Sequence, residues 1–413
     1  MKRHGNLYPL IYDMDNIRLA HKNAKKGKAH YREVREIDKD PERYFKRIHY
    51  MLKNKAFHNS RYSIFHKQDG NKVREIYRLP YFPDRIIHHC IMQVIEPILF
   101  KNLINDTYAC IKGRGIHKGV KRIKAALRDE ENTKYCLKMD IQKFYPSINH
   151  EVLIHLLKRR IKDDDLIWLL SEIVHSAPGV PIGNYLSQHF GNLYLSELDH
   201  KCKEQWLCKY YYRYCDDVVI LHSSKQFLYN VLSKMRQHLT SSILTIKRNW
   251  QIFPVDVRGI DFLGYRFFRH YTLLRKRIAT RFKRKMLNIK ELNKKTMNVI
   301  MSYKGWLKWS NCFNLEHRYI DSILVGRSSE NLMGIHSEAG LNRKFMEFAK
   351  VMNVYLNHFP AHEKYALANR IRNTAYEMYD FITEGQKRYY KKTSLTGLDI
   401  IHENHTKRNS GPD

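Results

Sequence analysis

The chain has 413 residues, and its 74 Lys and Arg against 41 Asp and Glu give a formal net charge of +33. This excess exceeds what solubility requires and indicates a polyanionic partner. Acidic membranes are the competing partner, but no apolar run is long enough to cross a bilayer and no signal peptide opens the chain. We therefore expect a cytoplasmic protein that binds nucleic acid.

The chain opens on a helical, aromatic-bearing segment, which we place at residues 1–65. Its basic stretch Lys22–Lys28 is either a solvated helix face or a contact to RNA. The pattern changes at Asp69-Gly70, which marks a turn between two short strands. Lys72 and Arg74 lie on the second strand. Arg suits a phosphate partner because its guanidinium fork binds two oxygens at once.

Three carboxylates stand at positions where strands are predicted to end. The apolar run from Tyr135 predicts a buried strand with Asp140 at its end. The run from Tyr211 to Leu221 predicts a hairpin with Asp216 and Asp217 at its tip. An Asp-Asp pair alone is most often a surface turn. Because a carboxylate at a buried strand end is costly unless it is paired or binds a metal, the two stretches together indicate two Mg²⁺ ions about 4 Å apart and phosphoryl transfer.

A glycine-bearing loop precedes a helix between Gly179 and Leu195. Two glycines and a proline are followed by Phe190, Tyr194 and Leu198 at helical spacing. Gly183 can let a backbone approach a nucleic acid or a nucleotide closely, although a single glycine often marks only a turn.

Two further segments are basic. The first is a glycine-bearing turn at residues 108–118, which contains Lys112 and Arg114. The second is a helical region at residues 271–335, which combines clustered Lys and Arg with aromatic rings and contains Arg275, Arg277 and Trp306. Basic side chains beside stacking surfaces are typical of nucleic-acid contacts, and a generic basic helix bundle is the alternative for the second segment.

The end of the chain predicts one more helical unit. Apolar residues recur at helical spacing over residues 345–359 and again over residues 367–382. We predict a helical hairpin at residues 336–402 and a disordered tail at residues 403–413. Two such helices cannot bury both apolar stripes alone, so they need the preceding helices, another copy or another protein.

Taken in order, these stretches resemble the motifs of reverse transcriptases over about residues 66–310. The resemblance implies an α+β right-hand polymerase with fingers and an antiparallel-sheet palm at residues 66–270. A helical thumb at residues 271–335 and the C-terminal helical appendage complete the expected architecture. The expected reaction is extension of a primer by dNTPs on a template RNA to give cDNA.

The resemblance also implies roles for individual residues. The catalytic and metal-binding residues are Asp140, Asp216 and Asp217, with Asp217 in support and with two Mg²⁺ ions, or Mn²⁺ in their place. Tyr145 is expected to exclude a 2′-hydroxyl, and Lys247 either protonates the departing pyrophosphate or is a surface lysine. The nucleotide-binding set is Lys72, Arg74, Tyr145, Gly183, Gln188 and Lys247. The nucleic-acid contacts are Lys112, Arg114, Arg275, Arg277 and Trp306.

One branch of the family is favoured. Most bacterial reverse transcriptases carry Gln-Gly and Ser-Pro where this chain has Ile182-Gly183 and Ser187-Gln188, the form of the enzymes of diversity-generating retroelements. Ile182 and Gln188 are therefore the fidelity residues, and errors are expected opposite template adenine. The segment 358–372 resembles part of the accessory variability protein, so that protein, or self-association through residues 345–390, is an expected partner. The alternatives are a defence-associated or group II intron-type reverse transcriptase and an inactive nucleic-acid-binding assembly protein.

Overall fold

The computed structural model describes residues 3–69, 72–101 and 103–321, together with a few isolated positions beyond residue 322. The chain divides into two compact units, residues 1–314 and residues 315–413. The predicted helical hairpin at residues 336–402 lies outside the described residues except for isolated positions, and the predicted tail at residues 403–413 lies wholly outside them. Among the described helices, none combines the length and the apolar character that a bilayer crossing requires.

Four helices form the N-terminal extension and pack on one another and on the first long helix of the fingers. Asp13 and Asp40 begin two of them by accepting backbone N–H bonds with their side chains, as N-cap residues do. The helices are α1 (Tyr8–Tyr12), α2 (Met14–Ala24), α3 (Arg32–Ile37) and α4 (Pro41–Lys53), and the fingers helix is α5 (Ile86–Phe100).

The fingers contain an antiparallel hairpin of β1 (Ser63–Asp69) and β2 (Lys72–Arg78), so the predicted pair of short strands is confirmed. β1 begins at Ser63, inside the segment predicted to be the helical extension. The long helix α5 follows this hairpin and contains nine buried residues. The next helix is α6 (Ile116–Ala126), which begins inside the segment predicted as a basic turn at residues 108–118.

A four-stranded antiparallel sheet is the centre of the larger unit, with the strand order β4-β5-β3-β6. The antiparallel palm is therefore confirmed. β3 is buried at Cys136, Leu137 and Met139, and β5 is buried at the four consecutive positions 218–221. The helix α11 (Lys225–Ser241) packs against both strands. The strands are β3 (Tyr135–Asp140), β4 (Tyr210–Tyr214), β5 (Asp217–His222) and β6 (Gln251–Pro254).

Helices of the palm bury their apolar faces in the same core as the sheet. The predicted helix after the glycine loop is present, but it ends at Tyr194, and Leu198 belongs to the short helix that follows. The palm helices are α7 (His150–Lys158), α8 (Asp164–Val174), α9 (Ser187–Tyr194), α10 (Ser196–His200) and α11 (Lys225–Ser241).

A separate three-stranded antiparallel sheet leads from the palm to the basic helices. It consists of β7 (Ile260–Phe262), β8 (Tyr265–Phe267) and β9 (Thr272–Leu274). The helical thumb was predicted to begin at residue 271. Because β9 pairs with β8, strand structure instead continues to Leu274. The helices that follow are α12 (Lys276–Leu287), α13 (Lys294–Leu307) and α14 (Phe313–Glu316).

Candidate active site

The register of the palm sheet brings the three predicted carboxylates together. β3 pairs with β5 so that Asp140 lies directly opposite Asp217. β4 pairs with β5 so that Tyr214 lies opposite Asp217, which leaves only Cys215 and Asp216 in the connecting turn. When Asp216 is protonated, its carboxyl group can donate a hydrogen bond to Asp140. All three carboxyl groups therefore lie at one end of two neighbouring strands.

Two lysines balance this negative charge. Lys247 Nζ contacts Asp140 Oδ2, and the backbone N–H of Lys247 donates to the Asp140 carbonyl oxygen at 2.9 Å. Lys138 Nζ donates to Oδ1 and Oδ2 of Asp217 at 3.0 and 3.2 Å. Like charges packed so closely would otherwise repel strongly in a partly buried site. The lysines thus hold the cluster together when no other cation is bound.

The local environment disfavours ionisation of the turn carboxylates. Burial, together with the hydrogen bond and the charge of Asp140, raises the pKa of Asp216 to about 7. Burial also raises the pKa of Asp217, and the Lys138 ammonium opposes that rise. A carboxyl group that is hard to ionise beside another carboxylate would be ionised more readily if a positive charge lay nearby. Its chemistry therefore suits a bound cation.

The donor set fits Mg²⁺, which prefers carboxylate oxygens. Among the described residues, no group of three His, Cys, Asp or Glu side chains is arranged as a ready metal site. Lys138 is paired with Asp217, and Lys247 is paired with Asp140. Asp140 and Asp216, which touch each other, are the pair that would hold an ion.

A buried ion pair stabilises the turn that contains Cys215 and Asp216. Arg213 and Asp199 have fully buried side chains and form a bidentate pair with distances of 2.7 and 2.6 Å. Arg213 Nη1 also donates to the Cys215 carbonyl oxygen at 2.9 Å. Cys215 has a φ of +53°, a left-handed conformation that non-glycine residues rarely adopt. The ion pair therefore fixes the strained turn that carries Asp216.

Tyr145 lies beside this turn. Burial raises the pKa of its phenol, and the neighbouring Cys215 adds to that rise. A Cβ added to Gly191 would lie 3.0 Å from the Phe144 ring and 3.2 Å from the Tyr145 ring, so this glycine lets α9 approach both. Tyr145 is consequently packed between α9 and the turn that carries Asp216.

The loop at Gly183 lies against strand β2 of the fingers. The Tyr77 N–H donates to the Ile182 carbonyl at 2.8 Å, and a Cβ on Gly183 would lie 2.3 Å from the Tyr77 carbonyl oxygen. Gly183 also has a φ of +116°. Both features favour glycine and tie the loop to β2. Gln188 is exposed, and its side-chain oxygen contacts the Cys110 thiol.

The fingers hairpin presents a basic face, of which the motif predicted Lys72 and Arg74 but not Lys67. The strand register places Lys67 directly opposite Arg74, and both side chains are exposed. Lys67 was missed because strand pairing, unlike position along one strand, is not visible in the motif. Lys72 lies at the start of β2, next to the turn of the hairpin. Its side chain lies outside the described part of the structure.

The predicted nucleic-acid contacts fall into two groups. Lys112 is exposed on the basic turn, whereas Arg114 donates to the carbonyl oxygens of Leu103 and Ile104 and thereby stabilises that turn. In the basic helices, Arg275 pairs with Asp261 at 2.5 Å. Trp306 packs on Tyr265 with 5.5 Å between ring centroids.

A groove and a neighbouring surface pocket carry the positive charge of the basic helices. α12 and α13 line the groove with Arg281, Lys285, Lys295, Tyr303 and Trp306. The pocket beside it is lined by Arg275, Lys276, Arg277, Thr280, Arg281 and Arg284. Positive side chains with two aromatic rings form a surface suited to a nucleic-acid backbone.

The raised pKa of Asp216 predicts that the stabilising effect of Mg²⁺ depends on pH. The folded-state pKa of Asp216 exceeds the ordinary value of about 3.9, so its contribution to stability is complete below about pH 4 and is lost as the pH rises towards 7. The facing groups are Asp140, Asp217, Lys138 and Lys247. A divalent cation replaces the missing proton. Mg²⁺ should therefore raise the Tm by roughly 3 °C more at about pH 8 than at about pH 5.5.

Differential scanning calorimetry measures this difference. Asp216→Asn removes the titrating group with little change in shape, and the variant should show nearly the same small Mg²⁺ effect at both pH values. An Mg²⁺ effect in the unaltered chain that is equal at both pH values would contradict the assignment.

Residues 65–267 match the family model described as reverse transcriptase (RNA-dependent DNA polymerase). Protein YkfC of Escherichia coli K12 is 24% identical over 157 residues, which are 35% of this chain and 41% of that protein. The group II intron-encoded protein LtrA of Lactococcus lactis subsp. cremoris is 26% identical over 144 residues, which are 32% of this chain and 23% of LtrA. The matches thus span less than half the length of either relative.

The solved structures similar to this chain include two telomerases in complex with a TWJ fragment of telomeric RNA. The Candida albicans telomerase has a TM-score of 0.44 at 12% identity and covers 78% of this chain and 67% of its own. The Candida tropicalis telomerase has a TM-score of 0.44 at 14% identity and covers 84% of this chain and 64% of its own. The family match falls on the fingers and the palm, whose motifs stand in the predicted order. The chain therefore contains a reverse transcriptase domain, formed by residues 65–267.

Proposed function

We propose that the chain is an RNA-directed DNA polymerase that extends a primer with dNTPs on a template RNA to make cDNA. The observation that carries this proposal is the strand register that sets Asp140 opposite Asp217, with Asp216 in the adjoining turn. Two bound Mg²⁺ ions, or Mn²⁺ in their place, would activate the attacking hydroxyl and stabilise the leaving oxygen. Asp140 and Asp216 are the residues that would hold them.

The other palm residues orient the nucleotide. The Tyr145 ring, fixed between α9 and the catalytic turn, occupies the side of the site where a 2′-hydroxyl would lie and so selects deoxyribonucleotides. Lys247, whose ammonium contacts Asp140, is placed to donate a proton to the departing pyrophosphate. Gly183 keeps the loop beside the nascent pair close to the fingers.

The basic surfaces bind the substrates. Lys67 and Arg74, paired across the fingers hairpin, with Lys72 beside its turn, take the triphosphate. Lys112 contacts the template strand. The groove between α12 and α13 holds the primer-template duplex by its phosphates, with Arg277 in the neighbouring pocket.

The finer assignment is to a diversity-generating retroelement, with errors concentrated at template adenine. Its support is Ile182, which stands where most bacterial relatives have glutamine, beside the nucleotide loop. Ile182 is half-buried and its carbonyl is bonded to β2, so its side chain cannot replace the hydrogen bonds of an amide. Gln188 at the start of α9 belongs to the same variation. The accessory variability protein is the proposed partner, although its contact segment at 345–390 lies almost wholly outside the described residues.

A group II intron-type enzyme is the second candidate function. The observation that favours it is the similarity to LtrA, which is a group II intron-encoded protein. An inactive assembly protein is disfavoured, because a palm that had lost its activity would have no reason to keep three carboxylates that repel one another.

Primer extension on an RNA template tests the proposed activity. Asp216→Asn should lower the extension rate at least about 1,000-fold, which corresponds to about 4 kcal/mol of barrier, because one metal ligand is lost. Binding of the primer-template should stay within about threefold, since the basic helices are unaltered. The exposed Asp164→Asn, which carries the same substitution on α8, is the matched control and should extend at the normal rate. Extension by Asp216→Asn within about tenfold of the unaltered chain would show that the carboxylate assignment is wrong.

Sequencing of cDNA tests the assignment to a diversity-generating retroelement. One lost polar contact near the nascent pair is worth about 1–3 kcal/mol, so misincorporation opposite adenine should exceed that opposite the other bases by about tenfold or more. Ile182→Gln should reduce these errors, whereas Ile182→Leu, which keeps the apolar character, should not. Errors spread evenly over the four template bases would remove the support for this branch and leave a generic reverse transcriptase.

A further inference from the structure

Lys138 is a cation that the catalytic motifs do not account for. It lies two residues before Asp140 on β3, so both side chains point to the same face of the sheet. Its Nζ donates to both carboxylate oxygens of Asp217 and contacts the Asp261 carbonyl oxygen. The ring of Phe262 lies 5.9 Å from the ammonium. A lysine has three N–H donors, so these contacts hold Lys138 between two parts of the fold.

The contacts continue into the base of the thumb. Asp261 belongs to β7, and its carboxylate accepts a hydrogen bond from Arg275 Nε at 2.5 Å. Arg275 directly precedes α12, and its backbone N–H donates to the Gly264 carbonyl at 2.9 Å. An unbroken series of polar contacts therefore links Asp217 on the catalytic hairpin to the first turn of the helix that faces the duplex groove.

Asp217 is paired with a lysine in this arrangement, and Asp216 has a different environment. Both oxygens of Asp217 are engaged by one ammonium, and the two side chains are only 28% and 26% exposed. Asp140 is paired with a different lysine, Lys247. Two neighbouring carboxylates of the site thus have different partners.

We propose that Lys138 is a positioning residue that keeps Asp217 as its counterion, apart from the metal ligands Asp140 and Asp216, and couples that carboxylate to the base of α12. This inference rests on the proposed function, because it assigns the metal to that same site. Removal of the ammonium leaves Asp217 free and adds net negative charge. A divalent cation should then bind more tightly but with Asp217 as an additional ligand, which displaces it from the position that supports synthesis.

The test separates metal affinity from rate. Mn²⁺ binding is measured by electron paramagnetic resonance of the free ion, without nucleic acid, and kcat is measured by primer extension at saturating Mn²⁺. Lys138→Met should bind Mn²⁺ about fivefold more tightly and extend at least about tenfold more slowly. Lys138→Arg keeps the charge and should restore both values to within about threefold. Lys134→Met removes the same charge from the exposed flank of β3 and is the matched control, with both values unchanged.

A residue that only stabilised the fold would weaken Mn²⁺ affinity and the extension rate together. A parallel loss of both in Lys138→Met therefore overturns the proposal, and so do an affinity and a rate equal to those of the unaltered chain.

If Lys138→Met fails to fold, the variant Arg275→Gln provides the test. Bound primer-template should tighten Mn²⁺ binding in the unaltered chain and not in Arg275→Gln, and retained coupling in that variant overturns the proposal. The Mn²⁺ titration requires no synthesis. A chain that binds Mn²⁺ as expected but extends no primer contradicts the proposed function and leaves this inference standing.

Discussion

Repulsion among three carboxylates is the constraint that organises the palm. Asp140, Asp216 and Asp217 meet at the end of two neighbouring strands because the register of the sheet allows no other arrangement. Two unit charges about 4 Å apart repel by about 4 kcal/mol at an effective dielectric constant of about 20. Lys138 and Lys247 offset this cost in the absence of a metal, and a proton held by Asp216 with a pKa of about 7 offsets part of the rest.

The turn that carries Asp216 is stabilised by a buried ion pair. Arg213 and Asp199 are both fully buried, and the arginine also bonds the carbonyl of Cys215, the residue with the left-handed backbone. Breaking a buried pair by removing one partner typically costs about 3–5 kcal/mol, since an uncompensated charge remains inside. The tyrosine hydroxyl of Tyr211 and the threonine hydroxyl of Thr107 complete the bonds of Asp199. The precision of the catalytic turn thus comes from the interior of the palm.

The sequence was informative wherever a local pattern decides the structure. The apolar run that ends at Asp140 and the aromatic and β-branched runs around Asp216 predicted the two strand ends, because alternation and turn residues act over a few positions. Arg213, by contrast, stands in a strand without any local sign that it is buried. Its partner Asp199 is fourteen positions away on the helix α10, so only the packed fold reveals the pair.

The same distinction applies to Lys67, Lys138 and Gly183. Lys67 meets Arg74 through strand pairing, and Lys138 meets Asp217 through the register of β3 and β5. Gly183 was expected to face the nucleotide or the template, and its left-handed backbone is explained by the Tyr77 carbonyl that lies against it. Each of these features is a contact between distant segments, which depends on how the elements assemble and not on the motif itself.

The central claim is that Asp140 and Asp216 form the metal site of an RNA-directed DNA polymerase. The most direct measurement is anomalous diffraction from crystals of the chain with an RNA template, a DNA primer ending in a dideoxynucleotide, a dNTP and Mn²⁺. We expect Mn²⁺ peaks within coordination distance of Asp140 and Asp216, beside the dNTP phosphates, with Lys138 still on Asp217. Anomalous peaks elsewhere in the chain, with these two carboxylates bound only to protein, would contradict the account.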